Sequence, residues 1–154
     1  MSFKFNNEKG FTLIELLLVI GILATLLAIT IVAINPARQF QAANNTKRRS
    51  DVNSILNALG QYQAEHLGVL PGSITTTATV IGNGTGQLDI CSALVSTYIA
   101  ALPVDPGTNG GAAVSNCGLA YNTNYTASIS ATNSRVIISA PATEMGISPI
   151  SVVR

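Results

Sequence analysis

At 154 residues, 47% of them hydrophobic and only 10% charged, the chain has room for one globular domain plus an apolar segment. Eight basic and seven acidic residues leave a formal charge of +1, and from Leu67 onward the only charges are Asp89, Asp105, Arg135, Glu144 and Arg154. The uncharged stretch from Pro106 to Ser134 offers no basic face, which excludes an ordinary nucleic-acid binder and leaves no specific nucleic acid evident as a partner.

The first ten residues form a short polar leader, 1–10, containing Lys4, Glu8 and Lys9. It is not an ordinary secretory signal, because the apolar region follows it and would survive a cut after Gly10. From Leu16 to Ile34 there is no charge, a run long enough to span a bilayer as a helix. Glu15 sits at the head of that run, and an acid attached to a membrane helix is read as functional by default. The bland alternative is a boundary residue that snorkels to the headgroups. A cut between Gly10 and Phe11 would create a cation, the α-amino group of Phe11, at the same depth.

Asn35-Pro36 can cap one helix and start another, since Pro is tolerated in a first turn. A second helix is expected from Pro36 to about His66, with Val52, Ile55, Leu56, Leu59 and Tyr62 forming one apolar face. Lys47-Arg48-Arg49 on this helix reads as a solvated face, or as a surface that meets acidic neighbours or anionic lipid headgroups. Gly68 and Pro71 stop the helix. Beyond it come a Thr-rich strand from Ile74 to Ile81, a short helix from Cys91 to Leu102, and a hairpin of Tyr121–Ser130 with Arg135–Ala140. A last strand is expected over Ile147 to Val153, confined to an edge by Pro149. The four tyrosines read as core and sheet residues, and His66 as a residue near a helix end.

The run Lys9-Gly10-Phe11-Thr12-Leu13-Ile14-Glu15-Leu16, followed by an apolar helix, resembles the N-terminus of type IV pilins and type II secretion pseudopilins. The resemblance covers about the first 35 residues closely and the remainder in outline. It implies cleavage by a prepilin peptidase between Gly10 and Phe11, N-methylation of Phe11, and a role for Glu15 in setting filament register. It also implies a pilin-like α+β fold: a long N-terminal helix, half in membrane and half amphipathic, packed on a small antiparallel sheet. The expected organisation is leader 1–10, transmembrane helix 11–34, amphipathic continuation 35–68 and a β-rich extracytoplasmic head 69–154. Expected partners are the peptidase, other pilin or pseudopilin subunits, the inner-membrane assembly platform and membrane lipid. One departure is that the first proline, Pro36, stands at the far end of the apolar run rather than within it.

A second resemblance lies in Leu102-Pro103-Val104-Asp105-Pro106 before a Gly-rich loop, similar to major pseudopilins, some of which bind calcium there. Here residues 107–116 add no carboxylate, so a calcium role for Asp105 stays open and no metal or cofactor is assigned. Cys91 and Cys117, in an exported head, most simply form one disulfide; two separate buried thiols are the alternative. Counting positive charges on either side of the apolar run would put the head in the cytoplasm, with Lys4 and Lys9 before it and Arg38, Lys47, Arg48 and Arg49 after it. The leader motif and the cysteine pair outweigh that count. No catalytic constellation is present in the sequence, so a structural filament subunit is the first reading. A minor tip pilin or anchored adhesin-like module is the second.

Overall fold

In the computed structural model, which describes residues 10–154, the chain divides into two units, one ending at Gln39 and one from Phe40 to Arg154. The first contains α1, Leu13–Ile34, a helix of 22 residues. At 1.5 Å per residue it is about 33 Å long, enough for the hydrocarbon core of a bilayer. Its composition is equally suited to a membrane, and no α1 residue is buried. Asn35, in the left-handed region at φ 46°, ends α1, and Pro36 opens α2, Pro36–Glu65. Asn is among the few residues that adopt this conformation at low cost. The charged leader residues lie outside the described part of the chain.

The second unit, the head, is an α+β structure in which α2 packs on a four-stranded antiparallel sheet. The strands are β1 (Thr79–Gly82), β2 (Asn122–Ile129), β3 (Val136–Ala140) and β4 (Ile150–Val153), in the spatial order of the sequence. The expected α2 face is realised: Val52, Ile55, Leu56 and Leu59 are buried, and Tyr62 packs at its margin. Opposite them lie Tyr125, Ala127, Val136, Ile138 and Ala140, the inward residues of β2 and β3. Alternation of burial along β3 follows the two-residue period of a strand. The β2–β3 hairpin pairs Ile129 with Val136 and Thr126 with Ser139. At the other edge β4 begins one residue after Pro149, as a residue lacking a ladder N–H requires.

Besides the last strand, which forms only from Ile150, two expected elements are shorter than the sequence suggested. The strand expected over Ile74–Ile81 forms only from Thr79. Upstream, the Thr75 hydroxyl accepts a hydrogen bond from the Thr77 N–H at 3.3 Å, a local turn that competes with strand pairing. The helix expected over Cys91–Leu102 ends at Leu94, giving α3, Cys91–Leu94. Ser96 then takes φ 72° and its N–H donates to the Ile99 carbonyl, so the chain turns while Leu94, Val95 and Leu102 stay buried. Their spacing reflected burial rather than a continuous helix. In β1 the pairing shifts between Val80 and Gly82. A Cβ at Gly82 would stand 2.8 Å from the Tyr121 carbonyl oxygen, so only glycine fits this close approach.

Candidate functional site

The N-terminal motif begins with a reciprocal cap. Thr12 is the N-cap of α1, and the Glu15 backbone N–H donates to its hydroxyl oxygen at 3.3 Å. In return Glu15 Oε2 accepts from the Thr12 backbone N–H at 2.8 Å and from the Thr12 hydroxyl at 2.7 Å. A Thr followed three residues later by Glu is the sequence signature of this capping box, and it was legible in Thr12-Leu13-Ile14-Glu15. Among the described residues, only one of the two Glu15 oxygens is used this way. Oε1 makes no hydrogen bond and the side chain is exposed. Phe11, 90% exposed, precedes the cap, so Gly10 and Phe11 lie in the non-helical chain just before α1 and Glu15 in its first turn.

In the head, the basic run on α2 does not form a solvated face. Arg48 is 2% exposed and binds Asp105, which is fully buried, through two parallel contacts: Nε to Oδ2 at 2.6 Å and Nη2 to Oδ1 at 3.0 Å. Its remaining nitrogen donates to Asn45 Oδ1 at 3.0 Å and lies 3.7 Å from Glu144. The bond to Asp105 is the chief cause that raises the Arg48 pKa above its ordinary value, so the guanidinium stays charged despite burial. Among the described residues, only Arg49 of the three is left on the surface without an acidic partner, whereas the half-exposed Lys47 donates to Asp51 at 2.8 Å. Asp51 also accepts from the buried Tyr125 hydroxyl at 2.7 Å; burial, together with this bond, drives the Tyr125 phenol far up from its ordinary value.

This arrangement answers the question of calcium at Asp105. Both carboxylate oxygens face Arg48, and Oδ1 also accepts from the Gly107 N–H at 2.8 Å. A cation would have to displace a guanidinium already in place. The same network holds the segment before β4 to α2: Asn45 Nδ2 donates to the Glu144 carbonyl at 2.9 Å, and Glu144 N–H donates to Asn45 Oδ1 at 3.1 Å. Asn44 adds two longer contacts to the Glu144 carboxylate.

Cys91 and Cys117 are bonded, with Cα atoms 5.5 Å apart across 26 residues of chain. Cys91 is fully buried in the core, so the bond ties the loop before β2 to α3. Closing a loop of that size contributes about 3 kcal/mol in the chain-entropy account. Reduction of the folded protein should therefore lower its unfolding free energy by about that amount, read as a shift in urea midpoint with and without dithiothreitol. An unchanged midpoint with both thiols demonstrably free would refute this. Tyr121 donates to Asp89 at 2.7 Å, whereas Tyr62 and Tyr98 meet at the end of α2. Tyr62 stacks on His66 at 3.8 Å, and Tyr98 meets Tyr62 edge-on and donates to Glu65 at 2.6 Å. That bond is the main reason the Tyr98 phenol is pushed up to about 12.

An apolar, bilayer-length helix with an acid in its capped first turn, followed by a disulfide-closed α+β head, defines the class of molecule. The N-terminal stretch matches the prokaryotic N-terminal methylation motif over residues 5–31, the prepilin-type motif of type IV pilins and pseudopilins. No curated protein and no solved structure matches the chain.

Proposed function

We propose that the chain is a structural filament subunit, of a type IV pilus or a type II secretion pseudopilus, made as a precursor and cut between Gly10 and Phe11. A prepilin peptidase makes the cut and methylates the new amino group of Phe11. The processed chain keeps α1 as a single span of the cytoplasmic membrane with the head outside the cytoplasm. The inner-membrane assembly platform then moves subunits out of lipid and into a filament, with copies of the same chain or with related subunits. The observation that carries this reading is α1 itself, apolar along its length with none of its residues buried. Such a helix needs lipid or other helices around it, and the prepilin-type motif at its start supports a reading in which it has both in turn.

Two further features support it. The Cys91–Cys117 bond suits an oxidising compartment, which favours a head outside the cytoplasm over the orientation that charge counting gives. Glu15 Oε1, which makes no hydrogen bond among the described residues, leaves an acceptor for a cation brought by a neighbour. The experiment is N-terminal mass analysis of membrane-extracted protein together with sedimentation of sheared cell-surface material. We expect a chain beginning at methylated Phe11 and abundant in the filament pellet. Correct processing with only trace amounts in the pellet would indicate the tip-pilin or adhesin reading instead. A mature chain that retains Met1, or is cut beyond Ala33, would overturn both.

A further inference from the structure

The head contains two Asn-Gly pairs, Asn83-Gly84 and Asn109-Gly110, and the fold treats them in opposite ways. Asn-Gly is the dipeptide in which the next backbone nitrogen most easily reaches the asparagine side chain, because glycine brings no Cβ to obstruct it. All four residues are exposed, so solvent access does not distinguish the pairs. Hydrogen bonding does. The Asn83 amide donates to the Leu119 carbonyl at 2.8 Å, and its oxygen accepts from the Tyr121 N–H at 2.8 Å. The Gly84 N–H, the potential nucleophile, is held by Gln87 Oε1 at 2.9 Å. Electrophile and nucleophile are both fixed.

At the second pair neither is. Among the described residues, the Asn109 side chain makes no hydrogen bond and the Gly110 N–H has no acceptor. Asn109 and Gly110 take φ 47° and 63° in a 3-10 turn over Asn109–Gly111. The only backbone bond made by either residue is a long one, Ala112 N–H to the Asn109 carbonyl at 3.3 Å. The turn is closed around them by the Gly111 N–H donating to the Thr108 carbonyl at 2.8 Å, a bond that engages neither the Asn109 side chain nor the Gly110 N–H, and exposed loops of this kind open locally at small free-energy cost.

We propose that Asn109 is a site of spontaneous deamidation in the folded head, while Asn83 is protected by its bonds. The Gly110 nitrogen attacks Asn109 Cγ, a C–N bond forms, the Cγ–Nδ2 bond breaks and ammonia leaves with the amide proton. Water then opens the five-membered imide at one carbonyl to leave an ordinary aspartyl residue, or at the other to leave the isoaspartyl linkage. No oxidant or enzyme is needed. The product places a new carboxylate on a loop that passes over Lys47: a Cβ at Gly111 would stand 3.7 Å from Lys47 Nζ. The new charge lowers the net charge of the head by one.

The test is incubation of the full detergent-solubilised chain at mildly alkaline pH, native and in denaturant, with peptide mapping of the mass gain of about 1 Da at each pair. In denaturant the two pairs should convert at similar rates, since their local chemistry is the same. In the native chain Asn109 should convert at least about tenfold faster than Asn83, because protection follows the free energy of local opening. Asn109→Gln should abolish the gain at that position and leave Asn83 unchanged. Native rates that are equal for the two pairs, or an Asn109 as protected as Asn83, would overturn the assignment.

Discussion

Arg48→Ala should lower the unfolding free energy of the head by about 3–5 kcal/mol, the usual result of removing one partner from a buried ion pair. The guanidinium supplies two of the three hydrogen bonds to Asp105, so its loss leaves a fully buried carboxylate held by the Gly107 N–H alone. It also removes the donor to Asn45, whose amide ties Glu144 and the segment before β4 to α2. Near-UV circular dichroism of the detergent-solubilised chain in increasing urea would measure the effect. The double variant Arg48→Met with Asp105→Leu separates two explanations. If the cost comes from stranding a charge, the double variant should be much closer to wild type than Arg48→Ala. If the double variant is as unstable as the single one, the shape of the pair matters more than its charge balance. A single-variant loss below about 1 kcal/mol, the range of surface ion pairs, would mean that water reaches Asp105 when Arg48 is absent.

That ion pair also marks where the sequence stopped being informative. The apolar face of α2, the β2–β3 hairpin and the edge position of β4 could be read from local periodicity and turn residues, because each is set by near neighbours in the chain. Arg48 and Asp105 are 57 residues apart, and Asn45 and Glu144 99 apart. Within its own helix Arg48 belongs to a run of three bases, and such runs are normally solvated. Nothing local distinguishes it from Lys47 or Arg49. The same limit applies to α3. Cys91, Leu94, Val95, Tyr98 and Leu102 stand at helical spacing and all but the half-buried Tyr98 are buried, but the left-handed turn at Ser96 rather than a helix brings them to the core. At the N-terminus the position was reversed. Both Thr12 and Glu15 of the capping box lie in four consecutive residues, so the cap was present in the sequence beside the more conspicuous membrane pattern.

Glu15→Ala should reduce filament formation severely while leaving cleavage, membrane insertion and the Cys91–Cys117 bond intact. Within its own helix Glu15 accepts from the Thr12 N–H, and losing this exposed capping contact costs too little to unfold a helix of 22 residues. A larger effect therefore has to come from outside the chain. The second oxygen, Oε1, makes no bond among the described residues, and the proposed cleavage at Gly10 would give every subunit an amino group at Phe11, just before the helix cap. As side chains on a helix lean toward its N-terminus, Glu15 is directed to the depth at which a neighbour's amino group would arrive. Desolvation offsets much of the attraction in such a pair, so in the proposed filament its value would lie in selecting one register among apolar helices. Three substitutions distinguish capping from registration. Glu15→Gln keeps a hydrogen-bonding side chain for the cap but removes the charge, and should assemble as poorly as Glu15→Ala. Glu15→Asp keeps the charge one methylene shorter and should assemble partially. Thr12→Ala removes the cap and keeps the charge, and should assemble nearly normally. The readout is the amount of subunit in sheared filaments relative to the membrane pool. If Glu15→Gln assembled like wild type while Thr12→Ala failed, the carboxylate would be a helix cap and the registration mechanism would be wrong.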